Sequence, residues 1–379
     1  MNKTLLFVVN EPAFFLSHRL PLALAAKSAG YQVHVATGAG DGQAGIPEAG
    51  LHHHLLPLSR SGSHPLREVL GFIVLSRLLI KIKPDILHLV TIKSVLYGSQ
   101  AARITGFPAV VAAVSGLGSV FVSEGAAATF RLFVVKALYR LAMGHKNLRV
   151  IFQNPDDMSL VQGVARLRKD QCHLIRGSGV SLSRFAMGPE PAGPPVFCFA
   201  ARLLREKGAY EFVEAARILR AEGVDARFRL VGDIDPGNPS TIRKPELDDW
   251  RSGTDVEVVG FQDDINAVFA QSQVVVLPSY REGLPKTLVE AAAVGRAVIT
   301  CDVPGCRDAI VPGETGLLVP AKNSRALADA MRYLVENPDL RRQMGFAGRQ
   351  LAEQEFDINS IVEQQMAIYA NLVERCGAG

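Results

Sequence analysis

Short β-branched runs alternate with longer helical patterns along almost the whole chain. LLFVV (5–9) precedes an apolar-periodic stretch from Leu16 to Ala29 and then YQVHVA (31–36). DILHLV (85–90) leads into a helical stretch, 94–104, and AVVAAV (109–114). RVIFQ (149–153) follows a long helical pattern from Ala126 to Met143. Repetition of this kind builds a parallel sheet with helices on both faces. The rhythm stops at GVSLSRFAMGPEPAGPP (179–195), which is rich in Pro and Gly, has no periodic segment and reads as an interdomain linker. It restarts with PVFCFAARL (195–203), FRLVG (228–232), VEVVG (256–260), VVVLP (274–278) and AVIT (297–300). The expected α/β organisation is two Rossmann-like domains, 1–178 and 196–357, joined by the linker 179–195. A final helical stretch, 358–379, either packs on its own domain or crosses back to the first. The expected ligand site is a cleft between the domains, at the carboxyl ends of the strands.

Composition narrows the function classes. Of 379 residues, 48% are apolar and 21% charged, which excludes a disordered chain. The net charge of +4 demands no nucleic acid. Cys172, Cys198, Cys301, Cys306 and Cys376 form no CxxC, so they are expected to be reduced thiols in a cytoplasmic protein. No run reaches the ~18 apolar residues of a spanning helix. The apolar run near the amino terminus is shorter than the roughly 7–15 residues of a secretory signal and reads as a first buried strand.

The sharpest local feature is SYREGLPKTLVEAAAVGRAVIT (279–300). A strand ends at Pro278, a loop carries Glu282 and Gly283, and Pro285 suits the first turn of a helix closed by Gly295. Free N–H groups at such a helix start suit a phosphate. Glu282 can meet sugar hydroxyls, and Glu290 inside the helix can accept bonds from a ribose. Both glutamates are equally readable as a loop cap and a solvated helix charge. AARLLREKGAYEFVEAA (200–216) adds Arg202 just after a strand and Lys207 before a helix, two cations suited to a diphosphate.

Together, ARLLREKG, VGDIDPGNP, VVGFQDDI, VVLPSYREGLPKTLVEAAAVGRAVI and GLLVPAKN resemble the family-4 retaining glycosyltransferases of the GT-B fold. The amino-terminal segments SHRLPLALA, PLSRSGSHPL and VSGLGSVF look more narrowly like bacterial glycosyltransferases of the N-acetylgalactosaminyltransferase type, which extend polyprenyl-diphosphate-linked saccharides. The resemblance implies two Rossmann-like domains facing across a cleft and a UDP-sugar donor, with an N-acetylhexosamine as the expected sugar. It assigns Glu290 to the ribose, Glu282 to the donor sugar, and Arg202 and Lys207 to the leaving diphosphate. Gly283 and Leu284 would offer N–H groups, and the base would lie near Gly260 and Phe261. Such enzymes are thought to react on one face of the sugar, the leaving phosphate taking the acceptor's proton, with no metal and no protein nucleophile. The loop after the first strand, NEPAFFLSHR, departs from the family's Gly-rich loop, and Ser115–Gly116 stand where a catalytic-loop His is frequent. Arg19, Ser115 and Gly116 are the acceptor-side candidates.

His52–His53–His54 alternate faces if extended and are discounted as a metal site. Asp233–Ile234–Asp235 mimics a metal-binding acidic triplet and is discounted too. The stretch 131–149 interleaves Lys136 and Arg140, one helical turn apart, with apolar residues. It reads either as an amphipathic helix on anionic lipid or as a core helix with outward cations. LSRLLIKIK (75–83) is the second such stretch. The expected partners are a UDP-sugar, a lipid-linked saccharide and the cytoplasmic face of the inner membrane, touched peripherally. Two rival readings stand beside this one, the first on the same scaffold and the second from a different class. A UDP-N-acetylglucosamine 2-epimerase would act without an acceptor, and a non-catalytic subunit of a polysaccharide assembly complex would not turn over.

Overall fold

The computed structural model describes residues 3–58, 65–106, 109–117 and 135–377. The chain forms two compact units, Met1–Ser178 with Asn359–Gly379, and Gly179–Ile358.

The first unit holds a seven-stranded sheet in the order β3-β2-β1-β4-β5-β6-β7. Its strands are β1 (Thr4–Val9), β2 (Gln32–Thr37), β3 (His52–Leu55), β4 (Ile86–Val90), β5 (Val110–Val114), β6 (Leu148–Phe152) and β7 (Cys172–Leu174). Every described pairing is parallel. The helices are α1 (Pro12–His18), α2 (Leu20–Ser28), α3 (Gly45–Glu48), α4 (Pro65–Ile82), α5 (Ile92–Thr105), α6 (135–142) and α7 (Pro155–Ala165). Alternation along β1 explains why both faces need cover. Leu6 and Val8 enter the core under α4 and α5, while Leu5, Phe7 and Val9 enter the other core. Each such buried side chain contributes roughly 1.5–3 kcal/mol. Asn154 caps α7 by accepting from the Asp157 N–H at 2.8 Å, and Pro155 occupies its first turn.

The second unit holds six parallel strands in the order β10-β9-β8-β11-β12-β13. They are β8 (Val196–Ala200), β9 (Arg227–Val231), β10 (Glu257–Gly260), β11 (Val274–Leu277), β12 (Ala297–Cys301) and β13 (Gly316–Val319). The helices are α8 (Ala209–Ala221), α9 (Lys244–Ser252), α10 (Ile265–Ala270), α11 (Lys286–Ala293), α12 (Ser324–Glu336) and α13 (Pro338–Leu351), followed by α14 (Ile358–Gly377). In both sheets the order reverses beside the first strand of the unit. Such a reversal opens a crevice at the strands' carboxyl ends.

Two features differ from, or go beyond, what composition suggests. The Pro- and Gly-rich segment 179–195 is not a free linker but part of the second unit. Arg296 donates to the carbonyls of Gly188 and Pro189, both at 3.0 Å, and Arg341 pairs with Glu190 at 2.5 Å. Gln273 and Arg349 bind the carbonyls of Pro191 and Phe185. Proline and glycine leave their carbonyls free of a helix or ladder, and these side chains use them. The final helix, α14, places Ile361, Ile368, Tyr369 and Leu372 in the Phe7 core of the first unit. There the Tyr369 hydroxyl is in hydrogen-bond contact with Nδ1 of His88, a buried residue of β4. Burial, then the nearby Arg19 charge, keeps His88 in its neutral form.

The triple histidine forms edge strand β3. His53 contacts the Thr37 hydroxyl at 2.9 Å, while His52 and His54 stack on His34. Among the described residues no group of three His, Cys, Asp or Glu side chains is placed to hold a metal ion, and no helix is long and apolar enough to cross a membrane.

Candidate active site

The charged residues singled out in the second unit gather at the carboxyl edge of its sheet. After β8 the chain turns through Arg205–Lys207. Gly208 follows at φ +78°, where a Cβ would stand 2.2 Å from the Pro278 carbonyl oxygen. This close approach packs the turn against the exit of β11, and the Tyr280 N–H donates to the Glu206 carbonyl at 2.9 Å. Lys207 Nζ then reaches Glu282 Oε1 at 2.5 Å, with side chains 20% and 13% exposed. A cation and a carboxylate are thus held together in a partly water-excluded place, where both interact strongly with a charged ligand.

Helix α11 begins beside them. No side chain caps it, and Pro285 stands at the cap position. Thr287 ties the first turn to the end of β8 through its hydroxyl and the Ala200 carbonyl at 2.9 Å. Glu282 is fixed by its own N–H to the Pro304 carbonyl at 3.1 Å, and Leu284 is buried. Glu290, 7% exposed, lies one turn into the helix with Lys286 Nζ at 3.2 Å. It is neither a solvated helix charge nor in contact with Lys207.

Burial, opposed by Lys286, holds the Glu290 carboxyl above the usual carboxylate range. The linkage sign follows: the folded state binds the proton more tightly, so ionised Glu290 opposes folding. The penalty is absent below the unfolded value near 4.3 and complete above the raised folded value. Glu290→Gln is therefore expected to raise Tm at pH 7.5, with no gain near pH 3.5. Thermal scans at the two pH values check it, and an equal shift at both would refute the assignment.

Arg202 is half-exposed and pairs with Asp235 Oδ2 at 2.7 Å. Asp235 is the residue that sequence inspection passed over, since the acidic triplet drew attention only as a metal motif. An acid after β9 beside a cation after β8 was the signal available. Gly260 accepts the Gly232 N–H at 2.9 Å, and Phe261 next to it is 69% exposed, a free aromatic face at the same edge. A cavity of about 660 Å³ lies at the opposite, amino edge, between Pro189, Arg227, Gln273 and Arg296. Its most buried cation, Arg296, is occupied by the carbonyls of Gly188, Pro189, Phe269 and Ala270.

In the first unit Arg19 and Ser115 do meet, at 3.4 Å, beside Gly116. Arg19 is covered rather than displayed, however. It is 2% exposed, its Nε has no hydrogen-bond partner among the described residues, and burial pushes its guanidinium down to about 10. Its position between α1 and α2 turns the side chain inward, which the sequence does not disclose. Lys136 and Arg140 lie apart from this pair on α6, where Arg140 donates to the Val164 carbonyl at 3.0 Å. Arg131, most of PLSRSGSHPL and the end of VSGLGSVF lie outside the described residues.

Both halves of the chain match families of known proteins. The family model "Glycosyl transferases group 1" matches residues 184–351, and "Glycosyl transferase 4-like" matches 4–154. An N,N'-diacetylbacillosaminyl-diphospho-undecaprenol alpha-1,3-N-acetylgalactosaminyltransferase of Campylobacter jejuni is 28% identical over 95% of this chain and 98% of its own. The capsular polysaccharide biosynthesis glycosyltransferase CapM of Staphylococcus aureus is 24% identical over 83% of this chain and 84% of its own. Among solved structures, sucrose-phosphate synthase from Thermosynechococcus elongatus superposes with a TM-score of 0.82. It is 22% identical and covers 99% of this chain and 100% of its own. Two parallel-sheet α/β units, one matched by each of these glycosyltransferase models, define the GT-B fold, and the chain is a glycosyltransferase of that fold.

Proposed function

We propose that the enzyme moves an N-acetylhexosamine from a UDP-sugar to a polyprenyl-diphosphate-linked saccharide, with retention of configuration, in surface-polysaccharide or glycan assembly. The contact between Lys207 and Glu282 beside the uncapped start of α11 carries this reading. That start offers N–H groups and a positive helix end to a diphosphate, Lys207 adds a charge, and Glu282 can accept from sugar hydroxyls. Arg202, held by Asp235, can turn its exposed edge to the same diphosphate. Glu290 takes the ribose, and Phe261 offers a face for the base. The reading uses no metal ion and no nucleophile. The protein orients the two substrates and stabilises charge on the departing diphosphate, whose oxygen takes the acceptor's proton. The nature of the acceptor, and with it a place at the cytoplasmic face of the membrane, rests on the similarity to the Campylobacter enzyme.

The test is incubation of the purified chain with UDP-GalNAc or UDP-GlcNAc and a diphosphate-linked saccharide carrying a short polyprenyl tail. One added N-acetylhexosamine by mass spectrometry, with an α-anomeric coupling by NMR, is expected. Interconversion of UDP-sugars without acceptor, or no turnover with any donor, would overturn the proposal.

A further inference from the structure

Helix α4 packs Leu75 and Leu79 into the core of the first unit, against α5. Its opposite side is not the polar face that a surface helix normally presents. Val69, Leu70, Ile73 and Ile80 are 58%, 50%, 40% and 56% exposed. At 3.6 residues per turn they share a sector of about 120° with Arg77 and Lys81. Both cations are exposed, and Lys83 follows just past the helix end. Among the described residues none of these three cations has a carboxylate partner. The nearby acids are engaged elsewhere: Glu68 pairs with Lys93 at 2.7 Å, and Asp85 accepts the Thr4 N–H at 2.6 Å.

We propose that this face of α4 is the surface by which the enzyme lies on an anionic lipid bilayer. The inference deepens the membrane part of the proposed function and rests on it only for the location. Large aliphatic side chains interleaved with unpaired cations match the acyl boundary and the anionic headgroups of a bilayer together. Neither a purely polar partner nor a neutral apolar groove matches both. The competing basic stretch around α6 is less suited: Tyr139 and Ala142 are buried, and Arg140 is bound to a backbone carbonyl. Helix α4 spans about 27 Å. Its first turn carries the Glu68–Lys93 pair, and Lys93 opens α5 at the carboxyl edge of the sheet. A bilayer along this face therefore lies beside the edge where the fold places ligands.

The experiment is co-sedimentation of the full chain with vesicles of phosphatidylglycerol and phosphatidylethanolamine, and with vesicles of phosphatidylcholine alone. The anionic vesicles should carry the protein down, less so at high salt. The double variant I73E/I80E should lower partitioning by about tenfold or more. R77Q/K81Q should lower it about 30-fold on anionic vesicles only, at roughly tenfold per 1.4 kcal/mol and ~1 kcal/mol per cation. All four positions are exposed, and an unchanged far-ultraviolet spectrum and Tm confirm folding. Wild-type protein that stays in the supernatant, or variants that partition like wild type, would overturn the proposal. So would I73E/I80E converting a dimer to a monomer without changing lipid binding, which would make the face a contact between copies. Normal partitioning together with absent sugar transfer would support the surface and count against the proposed reaction alone.

Discussion

Replacing Lys207 by alanine is expected to lower the rate of sugar transfer by about 10²–10³-fold, the usual cost of removing one stabiliser of transition-state charge. Affinity for the UDP-sugar should change only a few-fold, because the ground-state diphosphate keeps Arg202 and the start of α11. The reasoning lies in the placement of Nζ, 2.5 Å from Glu282 and only 20% exposed as a side chain, on a turn locked to the exit of β11 through Gly208. A charge so fixed needs no reorganisation as negative charge grows on the leaving group. Removing it also leaves the Glu282 carboxylate, 13% exposed, without its cation. The double variant K207A/E282Q separates the two effects. If Lys207 acts on the diphosphate, neutralising Glu282 restores stability but not turnover. Recovery of kcat in the double variant would show that the lysine merely neutralises the glutamate.

How much of this could be read before the structure varies with the range of the interaction. The parallel order of both sheets was legible because strands such as ILHLV and VFCFA are buried on both faces and therefore read as unbroken apolar runs. The start of α11 was legible for a similar local reason: a buried strand, a Glu–Gly loop and Pro285 specify a strand-loop-helix turn within a dozen residues. What was not legible depends on partners far along the chain. Arg296 binds carbonyls more than 100 residues earlier, which turns an apparent linker into part of the second unit. Asp235 becomes the partner of Arg202 only because β9 lies beside β8 in the sheet. Arg19 reads as a displayed cation until the turn between α1 and α2 points it inward. The outer face of α4 was half legible. Its periodicity marks an amphipathic helix, but which sector the fold covers is a tertiary fact.

Gly305→Ala is expected to lower transfer by about 10²-fold, the cost of misplacing a reacting group by about 1 Å. Gly305 sits at φ +82°, and a Cβ there would stand 2.3 Å from the Glu282 carbonyl oxygen and 2.7 Å from that of Gly283. Backbone cannot swing aside as a flexible side chain does. The loop carrying Glu282 must therefore move, and with it the contact to Lys207. Left-handed strain alone costs roughly 1–2 kcal/mol for a residue with a Cβ, and the clash adds a similar amount. The total is on the order of 3 kcal/mol of stability. Gly313 separates the two contributions, because it has nearly the same φ, +79°, with nothing within 4 Å of an added Cβ. Gly313→Ala should thus lose only the strain, about 1–2 kcal/mol by denaturant unfolding, and keep wild-type kcat. Equal activity in the two variants would mean that the Glu282 loop tolerates displacement. In that case its carboxylate is not held for the donor sugar, and the assignment of the site around it fails.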